Sequence, residues 1–213
     1  MVSVEENALE FQRIYEEKIH RSGADKLLDW MKSADFFTAP ASRQYHLCVP
    51  GGLCQHSLNV YSRLVKLLSD HYGANSPYNE ETVAIVALLH DLCKVNLFKE
   101  SWKNQKTYDP EKVAAANGYN VKHDAAGDFI WESVPTYVHD EELIFGHGEK
   151  SVFLIMTVMK LGIAEAQAIR FHMASWKSED KDLVGKVYEQ NPLAFFLHVA
   201  DEMATYFDEG GDN

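Results

Sequence analysis

The sequence is poor in cysteine and has no long apolar run. Its three cysteines, Cys48, Cys54 and Cys93, are odd in number and form no CxxC pair, which argues against a disulfide framework, a zinc ribbon or a redox dithiol. No stretch approaches the roughly 18 apolar residues of a transmembrane helix, and the N-terminus MVSVEENALEFQ begins with acids rather than with a signal peptide's basic and apolar regions. We therefore predict a cytoplasmic protein with reduced thiols.

Positive charge is also scarce, and this limits the partners. The chain has 32 acidic and 20 basic residues, for a formal net charge of -12. Such a surface repels polyanions, and no run of lysine and arginine predicts a groove that follows a phosphate backbone. We expect neither a long nucleic acid nor a membrane as partner. A small phosphorylated molecule remains compatible, because bound metal ions can reverse the local sign of the charge.

The apolar pattern predicts a single, mostly helical domain over residues 1–213. A chain of 213 residues, 46% of them hydrophobic, is able to bury a substantial core. Between about Phe98 and Phe145 the helical periodicity fails, and FIWESVPTYV predicts a hairpin strand that pairs near Lys103–Tyr108. We predict helices at these places: from Glu5 to Gly23, Asp25–Met31, Leu53–Gly73, from Asn79 through His90 and Asp91, Gly148–Leu161, Ile163–Trp176 and Pro192–Phe207.

The stretch VALLHDLCKVNLF contains charged residues in an apolar segment. It places His90, Asp91 and Lys94 within about one helical turn of each other. A buried carboxylate without partners is costly enough that it would rather take up a proton, so Asp91 requires a compensating charge. A metal ion is one candidate for that charge.

Four further polar residues are predicted to point into the core. His56, His172 and Asp201 each share a helical face with apolar residues at steps of three and four. His147 stands where a helix begins, in FGHGEKSV. Together with the histidine–aspartate pair, these residues come from separate segments of the chain that are able to converge.

Five motifs together resemble the HD-domain superfamily of metal-dependent phosphohydrolases: GGLCQHSLNVY, LLHDLCK, GHGEKSV, AIRFHMAS and LHVADEMATY. The defining order of that superfamily, histidine, histidine–aspartate and aspartate, falls on His56, His90, Asp91 and Asp201. The resemblance covers about Tyr45 to Tyr206. It implies an all-α HD-type helical bundle with a core at about 45–206 and a small β-hairpin insertion, or lid, at about 99–145.

The resemblance also implies a site with two divalent metal ions. His147 and His172 are similar to the extra histidines of the two-metal members, so they would hold the second ion, with Asp91 as the bridge between the two. Nitrogen and carboxylate ligands suit iron or manganese, with nickel, cobalt and zinc as alternatives. The implied reaction is hydrolysis of a small phosphorylated substrate by a metal-bound hydroxide, as a phosphomonoesterase or a phosphodiesterase, with nucleotides as one candidate substrate class.

Three residues are candidates for contacts with the substrate. Lys94 is interpreted as a catalytic phosphate anchor and a counter-charge to Asp91, and the alternative is a purely structural ion pair. His46 lies just before the helix of His56 and would line the cleft, unless it belongs to a surface loop. Lys106 would cap the substrate from the inserted region, and the alternative is a small aromatic cluster within that insertion.

Two other functions are compatible with the same ligands. Some HD relatives use four histidines and two aspartates to hold a mixed-valent di-iron site that activates oxygen and cleaves C–C or C–P bonds. A metal-binding regulatory module without turnover is the other alternative. Release of phosphate without oxygen favours hydrolysis, whereas an absolute requirement for oxygen favours the oxygenase.

Overall fold

The computed structural model describes residues 3–43, 45–116, 118–140, 143–174 and 181–210. This part of the chain is mostly helical and carries a small three-stranded sheet, which confirms the predicted helical class with a minor β region. The helices are α1 Val4–Lys18, α2 Ala24–Ser33, α3 Gly52–Tyr72, α4 Glu80–Leu89, α5 Pro110–Ala115, α6 His147–Met156, α7 Ile163–Phe171, α8 Lys181–Gln190 and α9 Pro192–Met203. Within the described ranges, no helix has both the length and the hydropathy that crossing a bilayer requires.

The chain forms two compact units, the first of which contains all helices except α5. This unit consists of the residues up to Phe98 and those from Asp140 onward, and the backbone hydrogen bond from Asp140 N–H to the Leu97 carbonyl joins its two segments. At its centre α3 packs against α4 and α9, while α7 packs against α6 and α9. Leu64 of α3, Leu88 of α4 and Leu197 of α9 are fully buried there.

The helix starts follow from local capping chemistry. Ser3 and Glu6 form a capping box at the start of α1, and Asn79 accepts a hydrogen bond from the Thr82 N–H at the start of α4. Pro192 occupies the first turn of α9, where its missing N–H has no intrahelical role. The helix that starts at Pro192 carries Asp201, and the helix capped by Asn79 ends just before His90 and Asp91.

The second unit, Lys99–His139, contains most of a small antiparallel sheet. Its strands are β1 Phe98–Thr107, β2 Lys122–Asp124 and β3 Gly127–His139, in the order β1-β3-β2. The prediction of a simple hairpin was incomplete, because β3 pairs with β1 on one side and with β2 on the other. β2 has three residues, too few to show an alternating pattern in the sequence. The unit ends at His139 rather than near Phe145.

Several predicted helix ends were wrong. α4 ends at Leu89 instead of continuing through His90 and Asp91, and a 3-10 turn over Leu92–Lys94 follows. α7 ends at Phe171, and its predicted end at Trp176 lies outside the described residues. α8 was not predicted, because only two of its ten residues, Val184 and Val187, are buried. α9 ends at Met203 and continues as a π-helical turn over Ala204–Asp208.

Candidate metal centre

The structure brings the predicted ligands together inside the first unit. They lie in α3 (His56), just beyond the end of α4 (His90 and Asp91), at the first residue of α6 (His147), just beyond α7 (His172) and in α9 (Asp201). All of these residues are buried except His147, which is half-buried. Segments far apart in sequence therefore meet at one polar cluster within an apolar core.

The two oxygens of Asp91 face different pairs of histidines. Oδ1 lies 2.7 Å from Nε2 of His147 and 3.4 Å from Nε2 of His172. Oδ2 lies 3.5 Å from Nε2 of His56 and 3.6 Å from Nε2 of His90. Each oxygen of this carboxylate therefore lies beside two imidazole nitrogens.

The donors on the Oδ2 side are spaced as ligands of one ion. Nε2 of His56 lies 3.2 Å from Nε2 of His90 and 3.2 Å from Oδ1 of Asp201. Two nitrogen ligands at about 2.0 to 2.1 Å from one zinc-like ion stand about 3.0 to 3.4 Å apart, so these spacings fit. Two imidazole lone pairs that face each other at this distance require a proton or a cation between them.

Hydrogen bonds at the outer nitrogen orient three of the imidazoles. Nδ1 of His90 donates to the Ala87 carbonyl at 2.8 Å, and Nδ1 of His172 donates to the Ile169 carbonyl at 2.6 Å. In each ring this assigns the proton to Nδ1 and leaves Nε2 as an acceptor that faces the cluster. Nε2 of His172 is buried and has no hydrogen-bond partner. Such an atom is costly without a cation or a proton to bind.

Glu209 holds the third imidazole, and sequence reasoning missed it. Its buried carboxylate accepts from Nδ1 of His56 at 3.0 and 3.1 Å and from Nδ2 of Asn59 at 2.9 Å. Burial by itself would raise the pKa of Glu209, but the bonds from His56 and Asn59 lower it. Carboxylates that bind the outer nitrogen of a histidine ligand fix its orientation and raise its basicity. Its position in an acidic C-terminal segment gave no signal of burial.

Cys93 is the second residue that sequence reasoning missed. Its buried Sγ lies 3.3 Å from Nδ1 and 3.6 Å from Nε2 of His147. The backbone N–H of Cys93 donates to Oγ of Ser151 at 3.0 Å, which holds the thiol against α6. The available signal was its place two residues after Asp91.

Charges within the cluster are strongly coupled. Burial would raise the pKa of Asp91, but Lys94 and the neighbouring His90 hold it well below its ordinary value. Burial lowers the pKa of His90 to about 4. For His56 burial also acts against the charged form, yet Asp201 and Glu209 raise its pKa to about 9. The cluster therefore keeps its carboxylates ionised, in the form that ligates cations.

The three predicted substrate-binding residues differ in location. Nζ of Lys94 lies 2.6 Å from Oδ2 of Asp91, with most of its side chain buried. The ring of His46 lies 5.0 Å from that of His56, so His46 borders the cluster. Lys106 belongs to the second unit, where it pairs with Asp124 and stands 4.2 Å from the centre of the Phe129 ring. These contacts favour the alternative interpretation of Lys106 as part of an aromatic cluster.

The donor set fits a transition-metal ion. Groups of three donor atoms lie within 4.8 Å of one another: His56, His90 and Asp201; His90, Asp91 and His172; Asp91, Cys93 and His147; and His46, His56 and Glu209. Imidazole and carboxylate donors suit iron, manganese or zinc better than magnesium, which prefers oxygen ligands. The cluster can therefore hold at least one such ion through residues that the fold already orients.

Comparisons with family models, curated proteins and solved structures gave no significant match. The resemblance to HD-domain phosphohydrolases therefore rests on the sequence motifs alone.

Proposed function

We propose that the protein is an HD-type phosphohydrolase that uses two divalent transition-metal ions and acts on a small phosphorylated molecule. The observation that carries this proposal is the division of Asp91, whose Oδ1 faces His147 and His172 while its Oδ2 faces His56 and His90. A single ion would need only one carboxylate oxygen of Asp91 and the pair of histidines that faces it. A structural cluster of ion pairs would account for the inward Nε2 atoms of His56 and His147, but not for that of His172, which has no hydrogen-bond partner.

The chain supplies most of what such a centre requires. His56, His90 and Asp201 would hold the first ion, His147 and His172 the second, and Asp91 both. Bound ions of this kind supply Lewis acidity toward phosphoryl oxygens and a hydroxide nucleophile at neutral pH. The buried hydrogen bonds at Nδ1 keep the imidazoles in place before any ion or substrate arrives, so little reorganisation is needed.

Lys94 would bind the substrate without joining the metal ligands. Its ammonium contacts Oδ2 of Asp91 and cannot coordinate a metal while it is protonated. Burial by itself would lower the pKa of Lys94, but the effect of Asp91 is larger and raises the pKa above its ordinary value, so the group stays charged at neutral pH. A buried ammonium at the edge of the centre is able to donate charge-assisted hydrogen bonds to a phosphate oxygen.

Metal analysis and an anaerobic assay test the proposal together. Protein purified without chelator should contain close to two transition-metal ions per chain and should release phosphate from a panel of monoesters or diesters without oxygen. His172→Ala should lower the metal content, and the matched control is His20→Ala, at an exposed position where the backbone N–H donates to Oε1 of Glu81.

Three results would contradict the proposal. A fully loaded, active preparation with one ion per chain would remove His147 and His172 from the ligands. An absolute requirement for oxygen would favour the di-iron oxygenase. Two bound ions without turnover on any phosphate ester would favour the regulatory module.

A further inference from the structure

We propose that the thiolate of Cys93 is a direct ligand of the second metal ion, beside Asp91 and His147. This inference rests on the proposed metal centre, since it adds a ligand to the ion on the Oδ1 side of Asp91. It changes that ion's shell from nitrogen and oxygen alone to one that includes sulfur.

The distances between donor atoms fit one ion. For a zinc–sulfur bond of about 2.3 Å and a zinc–nitrogen bond of about 2.0 to 2.1 Å, the sulfur and nitrogen ligands stand about 3.1 to 3.6 Å apart. Sγ of Cys93 lies 3.6 Å from Nε2 of His147, the nitrogen that faces Asp91. Donor atoms of Asp91, Cys93 and His147 all lie within 4.8 Å of one another. Ion binding needs the Asp91–His147 contact to open by only a few tenths of an ångström.

The fold holds the thiol in this place. The 3-10 turn Leu92–Lys94 packs against α6, and the Cys93 N–H donates to Oγ of the fully buried Ser151 at 3.0 Å. Ser151 follows His147 by about one helical turn, so the same contact fixes the turn that carries Cys93 and the helix that carries His147. Cys93 reaches the cluster because α4 ends before Asp91.

A second observation points to an ion on this side of Asp91. Nε2 of His172 is buried, has no hydrogen-bond partner and lies 3.4 Å from Oδ1 of Asp91, the same oxygen that His147 contacts. An unpaired buried acceptor beside a carboxylate oxygen is unfavourable unless a cation or a proton occupies the space between them. Such a cation would lie on the Oδ1 side of Asp91, as His147 does.

The alternative is a hydrogen bond in which the Cys93 thiol donates to Nδ1 of His147, where the separation is 3.3 Å. The two cases differ in their chemistry. As a ligand, Cys93 releases its proton to solvent when the ion binds and forms a metal–sulfur bond. Thiolate is a soft donor, so it would favour zinc or iron over manganese at this position.

Cobalt substitution distinguishes these cases. The metal-free protein should be titrated with Co²⁺ while the near-ultraviolet spectrum is recorded, because a thiolate–cobalt bond produces a charge-transfer band that nitrogen and oxygen ligands do not. We expect the band to appear in the wild type, to vanish in Cys93→Ser and to persist in Cys48→Ser. X-ray absorption of zinc-loaded protein should show one sulfur at about 2.3 Å.

The outcomes separate this inference from the proposed function. Two cobalt ions per chain without the band would overturn the role of Cys93 and leave the metal centre intact. A band that persists in Cys93→Ser would also overturn it. Failure to bind cobalt at all would overturn both. The wild-type spectrum and the sulfur distance do not depend on the folding of any variant.

Discussion

Replacement of Lys94 by methionine should destabilise the metal-free protein strongly. The ammonium lies 2.6 Å from Oδ2 of Asp91, and the two side chains are only 13% and 3% exposed. Removal of one partner from such a pair leaves an uncompensated buried charge and costs about 3 to 5 kcal/mol. For a chain of this size, each kcal/mol shifts the Tm by roughly 2 to 4 °C, so the expected loss is roughly 6 to 20 °C.

The same substitution should cost much less when metal is bound. Two divalent cations would then compensate Asp91, and the missing ammonium would no longer repel them. If the penalty falls by about 3 kcal/mol, thermodynamic reciprocity requires the ions to bind Lys94→Met about 100-fold more tightly than the wild type. Loss of the lysine would thus strengthen metal binding and lower the unfolding free energy of the metal-free protein.

Calorimetry with chelator and with saturating metal measures both quantities. The matched control is Lys66→Met, which removes the exposed ion pair with Asp70 and should cost less than about 1 kcal/mol in either state. An equal loss of Tm with and without metal would refute the reasoning, since it would mean that no cation reaches Asp91. The absence of any loss without metal would show that the ion pair does not compensate the carboxylate.

The remaining predictions concern other residues of the first unit. Asp91→Asn should empty both metal positions and His172→Ala mainly one, as measured by elemental analysis, and two ions with normal turnover in Asp91→Asn would exclude the bridge. Glu209→Gln should weaken metal binding roughly 10- to 100-fold in a calorimetric titration, because it removes the negative charge behind His56; unchanged affinity would contradict this. Glu165→Gln should cost about 3 kcal/mol at pH 7 by denaturant unfolding, since Arg21 binds both carboxylate oxygens. Burial would raise the pKa of Glu165, but Arg21 lowers it below its ordinary value. The difference in unfolding free energy between the wild type and Glu165→Gln should therefore shrink as the pH falls, first through the pKa of Glu165 in the unfolded chain and then through its pKa in the folded protein. A difference that stays constant with pH would contradict this.

The helical spacing predicted the inward positions of His56 and Asp201 because both lie within long helices whose apolar faces are continuous. His56 lies on α3 between the fully buried Leu53 and Val60, and Asp201 lies on α9 one turn after Leu197. In such a helix the face of a residue follows from its position in the repeat. These are the residues for which periodicity alone determines burial.

Glu209 and Cys93 could not be predicted in the same way. Glu209 lies in an acidic C-terminal segment, where composition predicts solvent exposure, and the π-helical turn Ala204–Asp208 brings it to His56. Cys93 faces the cluster because of the 3-10 turn Leu92–Lys94, whose geometry differs from that of a continued α-helix. Both depend on departures from regular α-helical geometry that no repeat pattern records.

The early end of α4 has a chemical role that the predicted longer helix would not provide. In an α-helix the last four carbonyls lack intrahelical partners. Ala87 of α4 and Ile169 of α7 are within those last four residues, and each accepts Nδ1–H from the histidine three residues later, His90 and His172. In the middle of a helix these carbonyls would already be occupied. The imidazoles therefore supply hydrogen-bond donors to the unpaired carbonyls at the helix ends. These carbonyls in turn hold the rings with Nε2 directed toward Asp91.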